Sequence, residues 1–349
     1  MSLNPFDDGS AGIERKLAAM YALLIAANIG AWGWALIVFH GHAVLLGMTL
    51  LAYTFGLRHA FDADHIAAID NVVRKLVQDG KTPCSVGFFF SLGHSTIVVL
   101  ATLAIVAVQS AVPDWLEPLH SLGATIGTGV STLFLLSIGL ANLVVLRSTW
   151  VRFMRARAGE AVGQADLDSL VARGGLLSRM LRPVMRLVSS SWHMYAVGFL
   201  FGLGFDTATE IGVLGISATH SADGISLCSV LVFPALFTAG MSLMDTTDSV
   251  LMTRAYGWAL LHPVRKLWYN LIITAASVLV ALSVGGMEAL GLLGNGLGFD
   301  SQFWRGVESL NGNLTNFGCL VVGIFAASWA LSVLIYRLNG LHQLKPEQA

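Results

Sequence analysis

One stretch early in the chain gathers side chains with the means to do chemistry: Arg58-His59-Ala60-Phe61-Asp62-Ala63-Asp64-His65-Ile66. It follows an apolar run without a break. On a continuous helix, at about 100° per residue, His59, Asp62 and His65 fall on an arc of roughly 120°. Arg58 and Asp70 lie close to that arc, and Asp64 points the other way. Two imidazoles and a carboxylate on one face make a nitrogen and oxygen donor set for a divalent transition metal. The competing reading is a helix end in water, its charges simply solvated. That reading suits Arg58 and Asp70 better than it suits the dense cluster between them.

Three further stretches place ionisable groups inside apolar sequence, where each costs about 2.5–3.5 kcal/mol at the centre of a span and so needs a reason. His94 sits in Ser91-Leu92-Gly93-His94-Ser95-Thr96, near the middle of its run. Gly93 beside it lets another helix approach. Asp206 and Glu210 are four apart and share a helix face with no Lys or Arg in the run to neutralise them. Two such acids in low dielectric call for a cation or a proton. Asp245 and Asp248 are three apart on another face; a fraying helix end in water is the alternative there, more so for Asp248. Imidazole and carboxylate suit Ni2+, Co2+, Zn2+ or Fe2+, and no cysteine lies near the clusters to favour Cu+. Met241 and Met244 are softer donors, but Met at helical spacing more often packs.

These side chains need elements to hold them, and composition says which. Of 349 residues, 55% are hydrophobic and 12% are charged, and the mean hydropathy is +0.71. A soluble domain carries about 25% charged residues, so lipid must be the outer solvent. The fold class is an all-α membrane protein, one polytopic domain over 1–349. Runs of about 20 apolar residues predict eight spans: 17–39, 43–70, 84–109, 121–146, 192–217, 226–249, 267–287 and 316–337. A Gly-rich loop from Gly285 to Asn316 is expected between the last two. Of 20 Lys and Arg, all but Arg58 and Arg305 fall on one side if eight spans alternate. Eight of them are arginines between Arg147 and Arg186, in a basic loop at 147–191 between spans 4 and 5. The excess of positive charge on that side marks it as cytoplasmic, with both termini there. Because the basic loop flanks two spans directly, topology explains it and nucleic acid does not. The N-terminal residues lack the basic start of a signal peptide, so the first run is expected to remain a span. Cys84, Cys228 and Cys319 form no CxxC pair, and no thiolate metal site or disulfide framework is indicated. Gly80-Lys81-Thr82 ends like a phosphate-binding loop, but Lys75 stands where that motif needs glycine.

Phe55-Gly56-Leu57 followed by Phe61-Asp62 echoes Phe201-Gly202-Leu203 followed by Phe205-Asp206. The two stretches lie on spans of opposite direction, as an inverted repeat of helices 1–3 and 4–6 would place them. Transporters that use such repeats bind their cargo at the repeat interface.

The run from Arg58 to Ile66 resembles the signature of the nickel/cobalt transporter family, RHA(V/F)DADHI. Leu92-Gly93-His94-Ser95, the run from Leu203 to Glu210, and the stretch from Gly240 to Asp248 are similar to the family's other blocks, in the same order. The resemblance covers about residues 50 to 250. It implies eight spans and high-affinity uptake of Ni2+ or Co2+ by a secondary permease in a bacterial inner membrane, with the ion as cargo and no resident cofactor. The metal would be held by His59, Asp62, Asp64 and His65 with His94, Asp206, Glu210, Asp245 and Asp248. Membrane lipid is the other partner implied. On the residues alone, a membrane-embedded metalloenzyme and a proton-coupled carrier of an organic solute remain alternatives.

Overall fold

The computed structural model describes residues 4–108, 116–157, 188–204, 226–259, 263–298 and 301–311, with single positions or short runs in 210–217 and 323–327. Every regular element among them is helical. In chain order these are α1 (Ile13–Val38), α2 (Ala43–His59), α3 (Ala63–Gln78), α4 (Val86–Val108), α5 (Leu116–Arg157), α6 (Met194–Phe201), α7 (Leu227–Val230), α8 (Val232–Ala259), α9 (Pro263–Leu297) and α10 (Gln302–Asn311). Short 3-10 turns, Ser191–His193 and Gly202–Gly204, flank α6.

Five helical stretches are long and apolar enough to cross a membrane: Ile13–Val38, Val86–Ala104, Thr128–Val151, Leu227–Tyr256 and Thr274–Gly294. A sixth is the pair α2 and α3 taken together, bent by 50°. The expected first, third, fourth, sixth and seventh spans match these in place. Of the fifth, the described part begins with α6; the eighth, 316–337, falls outside the described residues except for isolated helical positions. Most of the basic segment 147–191 also lies outside them, beyond the end of α5 at Arg157.

Two expectations are corrected. The second span is not one helix over 43–70: α2 stops at His59 and α3 starts at Ala63. Nor is its polar end solvated. From His65 to Val77 every residue of α3 is buried, Asp70, Asn71, Arg74 and Lys75 included. α3 is wrapped by α8, α9, α5 and α4, so protein rather than water surrounds its polar groups. The second correction concerns Gly285 onward. α9 runs on through Gly285 and Gly286 to Leu297, and α10 follows. Glycine there serves approach: a Cβ on Gly285 would meet Leu135 of α5 at 3.1 Å. α5 and α9 form the most extensive helix pair of the described residues.

Small residues bring the central helices into backbone contact. A Cβ on Gly87 would lie 1.9 Å from the Asp245 carbonyl oxygen, and one on Gly198 would lie 1.9 Å from that of Phe90. A Cβ on Gly56 would lie 2.1 Å from the carbonyl oxygen of Phe237. Lipid gives apolar helices no hydrophobic reason to associate, so close packing of this kind supplies the attraction. It seats α4 against α8 and α6, and α2 against α8. α1 stands at the rim, and its apolar side chains Ile25, Ile29 and Ile37 are exposed, as a lipid-facing surface should be. The segment before α1 is tied down: Phe6 stacks on Phe88, the Asp8 carboxylate accepts the Ser191 N–H at 2.9 Å, and Thr82 N–H donates to the Asp8 carbonyl at 2.9 Å.

Candidate metal centre

The break between α2 and α3 builds the centre. At the end of α2 the Phe61 and Asp62 N–H groups reach back to Arg58 and His59 carbonyls at 3.0 and 2.9 Å, tightening the last turn to the three-residue spacing of a 3-10 helix. Asp62 is then extended (φ −66°, ψ 142°) and α3 begins. This kink folds the Asp62 carboxylate onto His59, with Oδ2 2.8 Å from Nδ1. A carboxylate on one imidazole nitrogen fixes the ring and so sets the direction of the other nitrogen. For His59 that other nitrogen, Nε2, faces the interior of the bundle.

There it meets two more rings. His59, His65 and His94 come from α2, α3 and α4, all are buried, and each offers a nitrogen within 4.8 Å of those of the other two. The Nε2 atoms of His59 and His94 are 3.0 Å apart. Two nitrogens bound at right angles to one ion, each at about 2.0–2.1 Å, would be separated by about 3 Å, so this spacing fits a shared ion as well as it fits a hydrogen bond. Glu210 adds a carboxylate oxygen 2.6 Å from His94 Nε2 and 3.8 Å from His59 Nε2.

The fourth wall is Asp245 on α8. Its Oδ2 lies 3.6 Å from His65 Nδ1. Neither nitrogen of His65 and neither oxygen of Asp245 completes a hydrogen bond among the described residues, and His94 Nδ1 is in the same position. Buried polar atoms left this way cost about 1–3 kcal/mol each, and a bound cation would satisfy several at once. Aromatic rings hold the imidazoles: Phe90 meets His65 edge to face at 4.7 Å, and Phe237 packs on His59 at 5.4 Å.

The structure thus brings together His59, Asp62, His65, His94, Glu210 and Asp245. Asp64 sits in the first turn of α3, where its Oδ1 accepts the His65 N–H at 2.9 Å. Asp248 lies one turn along α8 from Asp245 and is half-buried. Asp206 falls outside the described residues. Sequence reasoning did not single out the hydroxyls of Ser95, Ser217 and Thr246, buried without a hydrogen-bond partner among the described residues; isolated hydroxyls in apolar helices are too common to stand out. It also passed over Glu288, buried on α9 and hydrogen-bonded by Ser131 and Thr132 at 3.0 and 3.1 Å. With residues from Gly285 read as loop, Glu288 did not count as an acid inside a span.

A nitrogen-rich donor set, ringed by carboxylates and closed off from water, is suited to a borderline divalent ion and not to Mg2+ or Ca2+, which prefer oxygen. Comparison with known proteins bears on the same point. The family described as high-affinity nickel-transport protein matches residues 45–335. A high-affinity nickel transport protein of Cupriavidus necator is 52% identical over 324 residues, 93% of this chain and 92% of its own. The nickel transporter NicT of Mycobacterium tuberculosis is 44% identical, covering 94% of this chain and 90% of its own. The cobalt transport protein NhlF of Rhodococcus rhodochrous is 40% identical over 84% of each. No solved structure matches. These relatives are transporters and not enzymes. With its apolar helices and a match along most of its length, this multi-pass membrane protein belongs to the high-affinity nickel-transport protein family.

Proposed function

We propose that the chain is a secondary transporter for high-affinity uptake of Ni2+, Co2+ or both across a bacterial inner membrane. The observation that carries the reading is the convergence of three buried imidazoles from three helices, with neither ring nitrogen of His65 hydrogen-bonded among the described residues. His59, His65 and His94 supply nitrogen, and Glu210 and Asp245 supply oxygen. Asp62 orients His59. Asp206, four residues before Glu210 in the sequence, is a further acid assigned to the ion's path, and Asp64 and Asp248 add negative field at its edge. Both termini and the basic segment 147–191 face the cytoplasm, supported by the placement of Lys and Arg. Eight spans, with helices 1–3 and 4–6 as an inverted repeat, accommodate this arrangement, with the centre near the middle of the bilayer.

Trace uptake of labelled Ni2+ in cells expressing the chain tests the reading. His59→Ala, His65→Ala and His94→Ala should each bring uptake to background at normal membrane abundance, while unlabelled Co2+ should compete in the parent chain. Parental uptake by the His65→Ala chain would overturn the proposal.

A further inference from the structure

α3 carries polar groups on two faces, and only one of them belongs to the metal centre. Asp70 is five residues after His65, which places it roughly 140° around the helix. That second face is turned to α8 and α9. The Asp70 carboxylate accepts the Tyr256 hydroxyl of α8 on Oδ1 and the Ser277 hydroxyl of α9 on Oδ2, the latter at 2.6 Å. Arg74 follows one turn later on the same side of α3, each of the two charges within the other's field. The Arg74 guanidinium donates to Thr274 of α9 at 3.2 Å and to Asn71 at 3.3 Å. Asn142 of α5 donates to the same Asn71 oxygen at 2.5 Å. All of these groups are buried.

This set has the wrong chemistry for a cation stop. Both Asp70 oxygens are taken by hydroxyl donors, and a positive guanidinium is already at hand. It has the right chemistry to fix a helix. A buried charge pair bound to α8 and α9, with Asn71 beside it bound to α5, tolerates little rotation of α3 about its axis, because any turn would strand buried donors and acceptors. Rotation of α3 is the motion that would move His65 off His59 and His94.

We propose that Asp70 is a positioning residue for transport: balanced by Arg74 and anchored to Tyr256 and Ser277, it sets the rotation of α3 and so holds His65 in the metal centre. The proposal rests on the reading that His65 binds the transported ion. Arg74 is accordingly an internal counter-charge and not a marker of the cytoplasmic side, as its place between expected spans suggested.

Initial rates of Ni2+ uptake over a range of Ni2+ concentrations, with membrane abundance measured alongside, test it in the full chain. Asp70→Asn strands the Arg74 charge, and the half-saturating concentration should rise about 10- to 100-fold, the usual scale for a residue that orients a metal ligand. The double variant Asp70→Asn/Arg74→Gln removes both charges and keeps the hydrogen-bonding shapes, so it should recover most of the parental value. If Asp70 were a ligand, removing Arg74 would restore nothing; failure of that rescue overturns the proposal, as does an Asp70→Asn chain with parental kinetics. Should Asp70→Asn fail to reach the membrane, Tyr256→Phe decides: it deletes one hydroxyl and no charge, and an unshifted half-saturating concentration overturns the proposal. His65→Ala is measured in the same series. Normal uptake by that chain would mean the metal centre itself is misplaced, whereas lost uptake with unshifted Asp70 and Tyr256 variants would sink the positioning role alone.

Discussion

Residue by residue, the proposed centre divides into groups that would face the ion and groups that would hold them. The His65 ring nitrogens make no hydrogen bond among the described residues, and the ring is pinned by Phe90 and flanked by the other two imidazoles. His59 is different, because Asp62 fixes its ring from behind. Asp62→Asn keeps the shape and loses the charge, and Ni2+ affinity measured at equilibrium should fall about 10- to 100-fold without loss of all binding; unchanged affinity would mean the ring is held by packing alone. Protons compete with the ion for the imidazoles, since a bound His must be neutral. Equilibrium binding to detergent-solubilised protein should therefore weaken as pH falls and release protons as Ni2+ is added. Solubilised protein removes the transmembrane gradient, which could drive uptake the other way and mask the effect in cells. Proton release that persists undiminished in a His59→Ala/His65→Ala double variant would contradict the assignment.

At the scale of elements, the centre depends on a helix that breaks and on helices that touch. Gly87 and Gly198 sit where a Cβ would overlap a carbonyl oxygen of the neighbouring helix. Gly87→Ala must push α4 from α8, between His94 and Asp245, at a cost of about 1–3 kcal/mol or more. It should lower both thermal stability in detergent and Ni2+ uptake. Gly47→Ala is the control, with nothing within 4 Å of its Cβ; equal losses in the two chains would count against helix approach as the cause. The types and order of the candidate ligands were legible in the sequence because acids and histidines inside apolar runs are rare and need an explanation. The kink at Ala60 to Asp62 was not legible. No proline or glycine marks it, and a continuous helix put His59, Asp62 and His65 on one arc as well. The burial of α3 was hidden for a related reason: its polar residues read as a helix end in water until α8, α9, α5 and α4 are seen around it. Glycines were ambiguous in the same way, breaking helices in the expected loop after Gly285 but cementing them in α9.

The molecule as a whole would join the proposed ion centre to a bundle with exposed apolar side chains and asymmetrically placed charges. Reporter fusions within 158–187 should report a cytoplasmic location, and a periplasmic signal would reverse the orientation drawn from Lys and Arg. An ion held by His59, His65, His94 and Asp245 would tie α2, α3, α4 and α8 together, so binding should stabilise the fold itself. Ni2+ at about 100 times its dissociation constant adds about 2.7 kcal/mol to a state that binds it at one site, so the melting temperature of the purified chain should rise with Ni2+ and stay flat in the His65→Ala chain. The most direct test of the central claim is X-ray absorption at the nickel edge on the purified, Ni2+-loaded protein. The account predicts a first shell of nitrogen and oxygen with imidazole scattering beyond it, and a loss of imidazole scattering in each of the His59→Ala, His65→Ala and His94→Ala chains that still binds nickel. A first shell containing sulfur, or imidazole scattering left intact by all three substitutions, would contradict it.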